Sequence, residues 1–225
     1  MYYNYTGDYM KKYFKNIKNK EFIISIMCML GIQSLSYVCL KFLQADFKTI
    51  DCSIDNKIPF IPQVIILYNL FYPMVFLAFY SIFNHDKGTY YKGIIAGIIG
   101  FMITDIIFIL YPTIIIRPDV TSMDIDPINK FIISMTYKID SPAINCLPSI
   151  HCLFCFQAII SLLMCKKYNN ISRVVMIIIL SLIIVTTLLV KQHYFLDVIA
   201  SLIVSILATL ISSMIYKKVK RHKSL

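Results

Sequence analysis

Long apolar runs alternate along this chain with short polar segments, most of them basic. A membrane-spanning helix needs about 20 largely apolar residues. Six runs meet or approach that length, at about 22–43, 60–83, 93–116, 149–165, 174–190 and 194–216. The pattern predicts an all-α polytopic membrane protein with six transmembrane helices. The first run is too long for a signal-peptide core, and no small-residue cleavage site follows it, so a retained helix is expected. Pro73 predicts a kink in the second helix. Gly93, Gly97 and Gly100 open the third at a spacing that lets helices approach closely. The longest loop, 117–147, contains Asp126-Pro127, a helix start with Pro at the first helical position. Ile128, Phe131, Ile132 and Met135 then share one face, as in a short helix lying in the membrane interface.

Composition sharpens this picture. The 225 residues are 58% hydrophobic with a mean hydropathy of +0.72, against about 45–50% apolar in soluble domains. The expected organisation is a segment over 1–21, one membrane domain over 22–216 and a basic tail over 217–225. The net charge of +10 does not point to nucleic acid, because the basic residues flank apolar runs instead of forming one face. The amino-terminal segment, the 84–93 turn, the 166–173 turn and the tail hold five, two, three and five Lys or Arg, fifteen of 22. The positive-inside rule therefore predicts cytoplasmic termini. Of the seven cysteines, Cys28, Cys39, Cys152, Cys155 and Cys165 fall in apolar runs, where Cys is a small hydrophobe. His151 precedes the Cys152/Cys155 pair, the reverse of the order that attaches a c-type haem. Cys52 and Cys146 lie in loops, where a bridge between them is one option.

Three polar stretches converge on the face opposite the termini. Lys191-Gln192-His193-Tyr194-Phe195-Leu196-Asp197 sits between two apolar runs. Asp197 lies four residues after His193, a spacing at which a carboxylate can fix the tautomer of an imidazole. Pro148-Ser149-Ile150-His151 opens the fourth helix, and Arg117 follows the third. Two helix N-termini and a guanidinium favour an anion. Two histidines beside them are what phosphoryl transfer through a phosphohistidine requires. Each piece also has a plainer reading: Arg117 as a helix-end cation, Ser149 as a cap, His193 and Asp197 as an interfacial pair, and Lys191 as an anchor. Asp105, about 18 Å from Arg117 by helix rise, is too deep to join them and is expected to hydrogen-bond a Ser, Thr or Tyr.

Arg117-Pro118, Pro148-Ser149-Ile150-His151 and His193-x-x-x-Asp197 resemble the three signature motifs of the type 2 phosphatidic acid phosphatase superfamily. The resemblance covers roughly residues 111–201. It implies a helical core (about 94–216) shared with vanadium haloperoxidases and bacterial acid phosphatases. It also implies His193 as nucleophile, Asp197 as its orienting partner and His151 as acid and base. Arg117 and Ser149 would bind phosphate, without a metal or other cofactor. The implied substrate is a lipid or isoprenoid phosphate, handled at the extracytoplasmic side of the plasma membrane. Two of the family's usual cations are absent: Leu110 stands seven residues before Arg117, and Thr186-Thr187 stand where Ser-Arg is usual. Lys191 is the residue placed to compensate, and is expected to turn toward His193. Tyr111-Pro112-Thr113 and Lys-Gln-His-Tyr look more like the inositol phosphorylceramide synthase branch. Hydrolysis, phosphotransfer to an alcohol and a non-catalytic membrane role therefore all stand as readings. A transporter would more often show internal repeats, and none is apparent.

Overall fold

The computed structural model describes residues 20–43 and 46–222. The lysine-rich stretch up to residue 19 and residues 223–225 of the tail lie outside them. Helix α1 is Lys20–Leu43. The second apolar run is broken into a 3-10 turn Pro62–Val64, helix α2 Ile65–Asn69 and helix α3 Phe71–His85. The break falls at Leu70, not at Pro73. Proline lacks an N–H for the carbonyl four residues back, which here is that of Asn69, so the chain restarts there and Pro73 sits in the first turn of α3.

Helix α4 is Lys87–Leu110, earlier at both ends than the expected 93–116. Asp86 caps it by accepting from the Thr89 N–H at 3.1 Å, and Pro112 biases the chain away from helix just beyond its end. Arg117 therefore rides on an extended segment, not on a helix end. Helix α5, Pro127–Ile139, forms where a short helix was expected, capped by Asp126. Ile128, Phe131 and Met135 face outward, whereas Ile132 packs inward near the buried Ile133. Helices α6 Ile150–Met164, α7 Asn170–Leu189 and α8 Phe195–His222 complete the bundle. Asn169 starts α7 four residues before the expected 174, since its side chain accepts from Ile171 and Ser172.

Among the described residues five helical stretches are long and apolar enough to cross a membrane, and Ile150–Met164 is a shorter apolar helix. At 1.5 Å per residue it rises about 22 Å, less than the ~30 Å hydrocarbon core. The chain is an integral membrane protein built from helices. Among the described residues the β contacts are two isolated bridges, Lys48 to Thr113 and Ile114 to Ile144. They tie three loops into one layer over the ends of the helices.

Helix α8 packs along both α4 and α6, and a polar seam fixes its register. The Ser201 hydroxyl donates to the Ser149 carbonyl at 2.9 Å, and the Gln157 amide to the Ser205 carbonyl at 3.1 Å. In an apolar bundle such bonds and close packing align helices where the hydrophobic effect cannot. Close approach is real at Gly93: a Cβ there would sit 2.7 Å from Ser161 Oγ and 2.9 Å from a Phe79 ring carbon. Asp105 meets the Ser36 hydroxyl across the contact between α4 and α1, a structural bond as expected.

Candidate active site

The site forms where the first turns of α6 and α8 meet beneath the loop layer. Ser149 caps α6 by accepting from the Cys152 N–H at 3.1 Å, and its own N–H donates to the Asp197 carbonyl at 3.3 Å. His151 and His193, 42 residues apart, are thereby brought together: His151 Nδ1 lies 3.3 Å from His193 Nε2. His193 precedes α8, which begins at Phe195. Asp197 reaches back from the first turn of α8, with Oδ2 3.2 Å from His193 Nδ1. The same oxygen accepts the Tyr194 N–H at 2.8 Å. Tyr68 of α2 contacts His151 Nε2 at 3.1 Å.

One proton assignment gives every contact one donor and one acceptor. Tyr68 O–H donates to His151 Nε2, His151 Nδ1–H to His193 Nε2, and His193 Nδ1–H to Asp197. A carboxylate that holds Nδ1–H leaves the lone pair of His193 on Nε2, where it accepts from His151, the tautomer a nucleophile needs once that contact is given up.

Both rings line a cavity of about 570 Å³, walled by α1, α2, α5 and the 140–146 loop. Arg117 is not in its lining. Its Nη1 donates to the Asp140 carbonyl at 2.9 Å, and its Nη2 to the Asp140 carboxylate and the Gln192 side-chain oxygen. The guanidinium also lies over the Tyr137 ring, 4.9 Å from its centroid. Asp140, which does line the cavity, thus stands between Arg117 and the histidines. Burial pushes the Tyr137 phenol up, opposed by Arg117, so it stays a neutral donor to the Val190 carbonyl at 2.6 Å.

Two expectations change here, and one open option closes. Lys191 does not bond to the histidine pair: its ammonium donates to the carbonyls of Asp55 and Ile58 at 3.0 and 2.6 Å. Its backbone sits in the left-handed region at φ 53°, which aims the side chain at the 51–58 loop. Ser149 is fully buried and occupied as a cap, so it supports His151 from behind. Cys52 and Cys146 are free thiols, each bonded within its own loop, to Asp55 and to the Ala143 carbonyl. Burial, then the charges of Asp197 and Asp140, hold the Cys146 thiol well above its ordinary value, so it is not a thiolate nucleophile.

Several residues in this region gave no motif signal. Asp55 caps α8 from a distant loop, accepting the Phe195 N–H at 2.7 Å. Tyr68, Asp140 and Gln192 hold the motif residues by contacts that only folding creates. One signal was present in the sequence: Gln33, Tyr37 and Lys41 recur at four-residue spacing, and all three line the cavity from α1. A polar stripe in an apolar helix marks the face turned to a cavity.

Among the described residues no group of three or more His, Cys, Asp or Glu is arranged to hold a metal ion. No curated protein and no solved structure matches the chain. The family profile described as the PAP2 superfamily matches residues 93–221, more than half the chain and the whole run that carries the three motifs. With its helices and its paired histidines, the chain belongs to the PAP2 superfamily, a membrane enzyme family of the phosphatase and phosphotransferase type.

Proposed function

We propose that this enzyme hydrolyses a lipid or polyprenyl phosphate or pyrophosphate at the extracytoplasmic face of the plasma membrane, through a phosphohistidine on His193. One observation carries the reading: His193 has Asp197 on one ring nitrogen and His151 on the other, at the wall of a cavity. In the first step His193 Nε2 exchanges its contact with His151 for phosphorus. The bond from phosphorus to the leaving oxygen breaks, and His151, protonated to the imidazolium as the anionic substrate enters, gives one proton to that oxygen and is left as a neutral imidazole. Asp197 stabilises the imidazolium formed on His193. In the second step His151, now the base, takes a proton from water, which attacks phosphorus and releases His193. Arg117 binds the equatorial oxygens once phosphate competes with Asp140 for its fork. Ser149 and Lys191 serve the site through its scaffold. The distribution of Lys and Arg supports cytoplasmic termini and an outward-facing site.

A second reading, transfer of the phosphoryl group to an alcohol, keeps the first step and replaces water in the second. It is favoured by the cation count: Leu110 and Thr187 replace two usual cations, and Lys191 is committed to the 51–58 loop. The motif likeness to the inositol phosphorylceramide synthase branch supports it as well. Both readings are tested by exposing purified protein to a ³²P-labelled lipid phosphate and quenching in base. Wild type is expected to carry acid-labile label and His193→Ala none; equal labelling of the two would overturn the phosphohistidine. Free phosphate against labelled alcohol then separates hydrolysis from transfer.

A further inference from the structure

Asp197 fixes more than the ring beside it. Because His193 gives its Nδ1–H to Asp197, it accepts at Nε2, and the His151 nitrogen that faces it at 3.3 Å is the donor. A neutral His151 therefore carries its proton on Nδ1 and a lone pair on Nε2. The Tyr68 hydroxyl lies 3.1 Å from that lone pair and, among the described residues, is the polar group bonded to it. The rings of Phe71 and Tyr72 close round the same imidazole, with centroids 4.8 and 6.4 Å from its own.

The surroundings of Tyr68 hold this contact in place. The side chain is buried in one apolar cluster with Ile65, Val120, Ile133 and Val190, yet the residue also lines the cavity. Lys41 and Asp140 line the cavity too, but both are engaged elsewhere. The Lys41 ammonium lies over the Tyr37 ring at 5.0 Å, and Asp140 accepts from the Tyr37 hydroxyl at 3.1 Å and from Arg117. A phenol can donate or accept, whereas an ammonium only donates and a carboxylate only accepts. Tyr68 thus fits both states of His151, as donor to the neutral ring and as acceptor from the imidazolium.

We propose that Tyr68 is a positioning residue that delivers the proton making His151 an acid, and then holds that proton on Nε2 so that Nδ1 faces the reaction. The inference rests on the phosphohistidine reading and supplies the route by which its acid is loaded. With Nδ1 already protonated, His151 becomes an imidazolium by gaining a proton on Nε2. The Tyr68 O–H bond breaks as the Nε2–H bond forms, and Oη takes a proton from a hydronium ion in the cavity, so the tyrosine ends neutral. One proton has moved from the cavity to His151, and Tyr68 has turned from donor to acceptor. The Nε2–H then stays bonded to Tyr68 through both steps. Nδ1 gives its proton to the leaving oxygen and later takes one from water.

The test uses the full purified chain and two readouts. The first is the ¹⁵N spectrum of the imidazoles in substrate-free protein with neutral rings. The chain has four histidines, and a His151→Gln spectrum identifies the signals of His151. Wild type is expected to show His151 protonated on Nδ1, with a hydrogen-bonded lone pair on Nε2. A proton on Nε2 overturns the proposal, and this holds even if no Tyr68 variant folds. The second readout is phosphoenzyme formation by Tyr68→Phe, which keeps the ring and its packing and loses the hydroxyl. With an alkyl phosphate, a poor leaving group, the step is expected to slow about 10–100-fold, the worth of a hydrogen bond to a charged group. With an aryl phosphate, a good leaving group that needs little acid help, it should slow less than about threefold. Equal slowing of the two, or no slowing of either, overturns the proposal, since a packing defect would not sort substrates by leaving group. If wild type carries no label on His193, the phosphohistidine falls, and the imidazole spectrum still decides whether Tyr68 donates to His151.

Discussion

The histidine centre and the loop layer around Arg117 are built in opposite ways. His151, His193 and Asp197 stand on the first turns of two core helices, joined by Ser149, Ser201 and a polar seam that fixes helix register. Arg117 stands on an extended segment, held by Asp140 at the end of α5, whose Ile128, Phe131 and Ile139 are exposed. The difference teaches a division of labour. Helix packing sets the distance between reacting atoms, which tolerates little error. Loops set how much positive charge the cavity presents, and an ion pair there can be exchanged for one with substrate.

The comparison predicts that changes at the centre stop chemistry, whereas changes in the loop layer alter stability or binding. The largest effect belongs to His151→Ala. Loss of a positioned acid is expected to slow phosphoenzyme formation by about 10²–10⁴-fold, more for a poor leaving group than a good one, in rapid-quench measurements. Equal slowing for both leaving groups would show that His151 only positions His193. Lys191→Gln should come next and act elsewhere. Removing an ammonium bonded to two carbonyls is expected to cost roughly 1.5–3 kcal/mol of stability, seen as a lower melting temperature with turnover reduced less than tenfold. A collapse of turnover with unchanged melting would return Lys191 to the phosphate.

The smallest effect concerns α5. Hydrogen bonds from the Asn129 backbone and side chain hold Asp126 below the usual carboxylate range. A depressed folded value means that the cap contributes its stability above the unfolded value and loses it as pH falls through the folded one. Amide exchange in 127–139 should therefore lose some protection in acid, and Asp126→Ala should show the weakened protection already at neutral pH. Protection that ignores both changes would mean that Ile133 packing alone holds the helix.

The sequence by itself determined the helical membrane architecture, because bilayer thickness imposes run length and backbone pairing imposes helix. It also determined His193 with Asp197 and the Ser149 cap before His151, because these are local relations of three or four residues that helix starts reproduce anywhere. Helix ends were less legible: α4 begins and stops six residues early, since Asp86 and Pro112 outweigh the hydropathy of the run around them. Only the tertiary structure decided which polar groups share the cavity. Lys191 was assigned by its distance along the chain from His193, yet its left-handed backbone and two loop carbonyls turn it away. Asp140 and Gln192 claim Arg117, Tyr68 holds His151, and Asp55 caps α8 from a loop 140 residues away. These partners are chosen by how three loops stack over the helix ends. Pairings between distant segments leave no periodicity in the chain, and a long flexible cation takes whichever acceptors folding brings near.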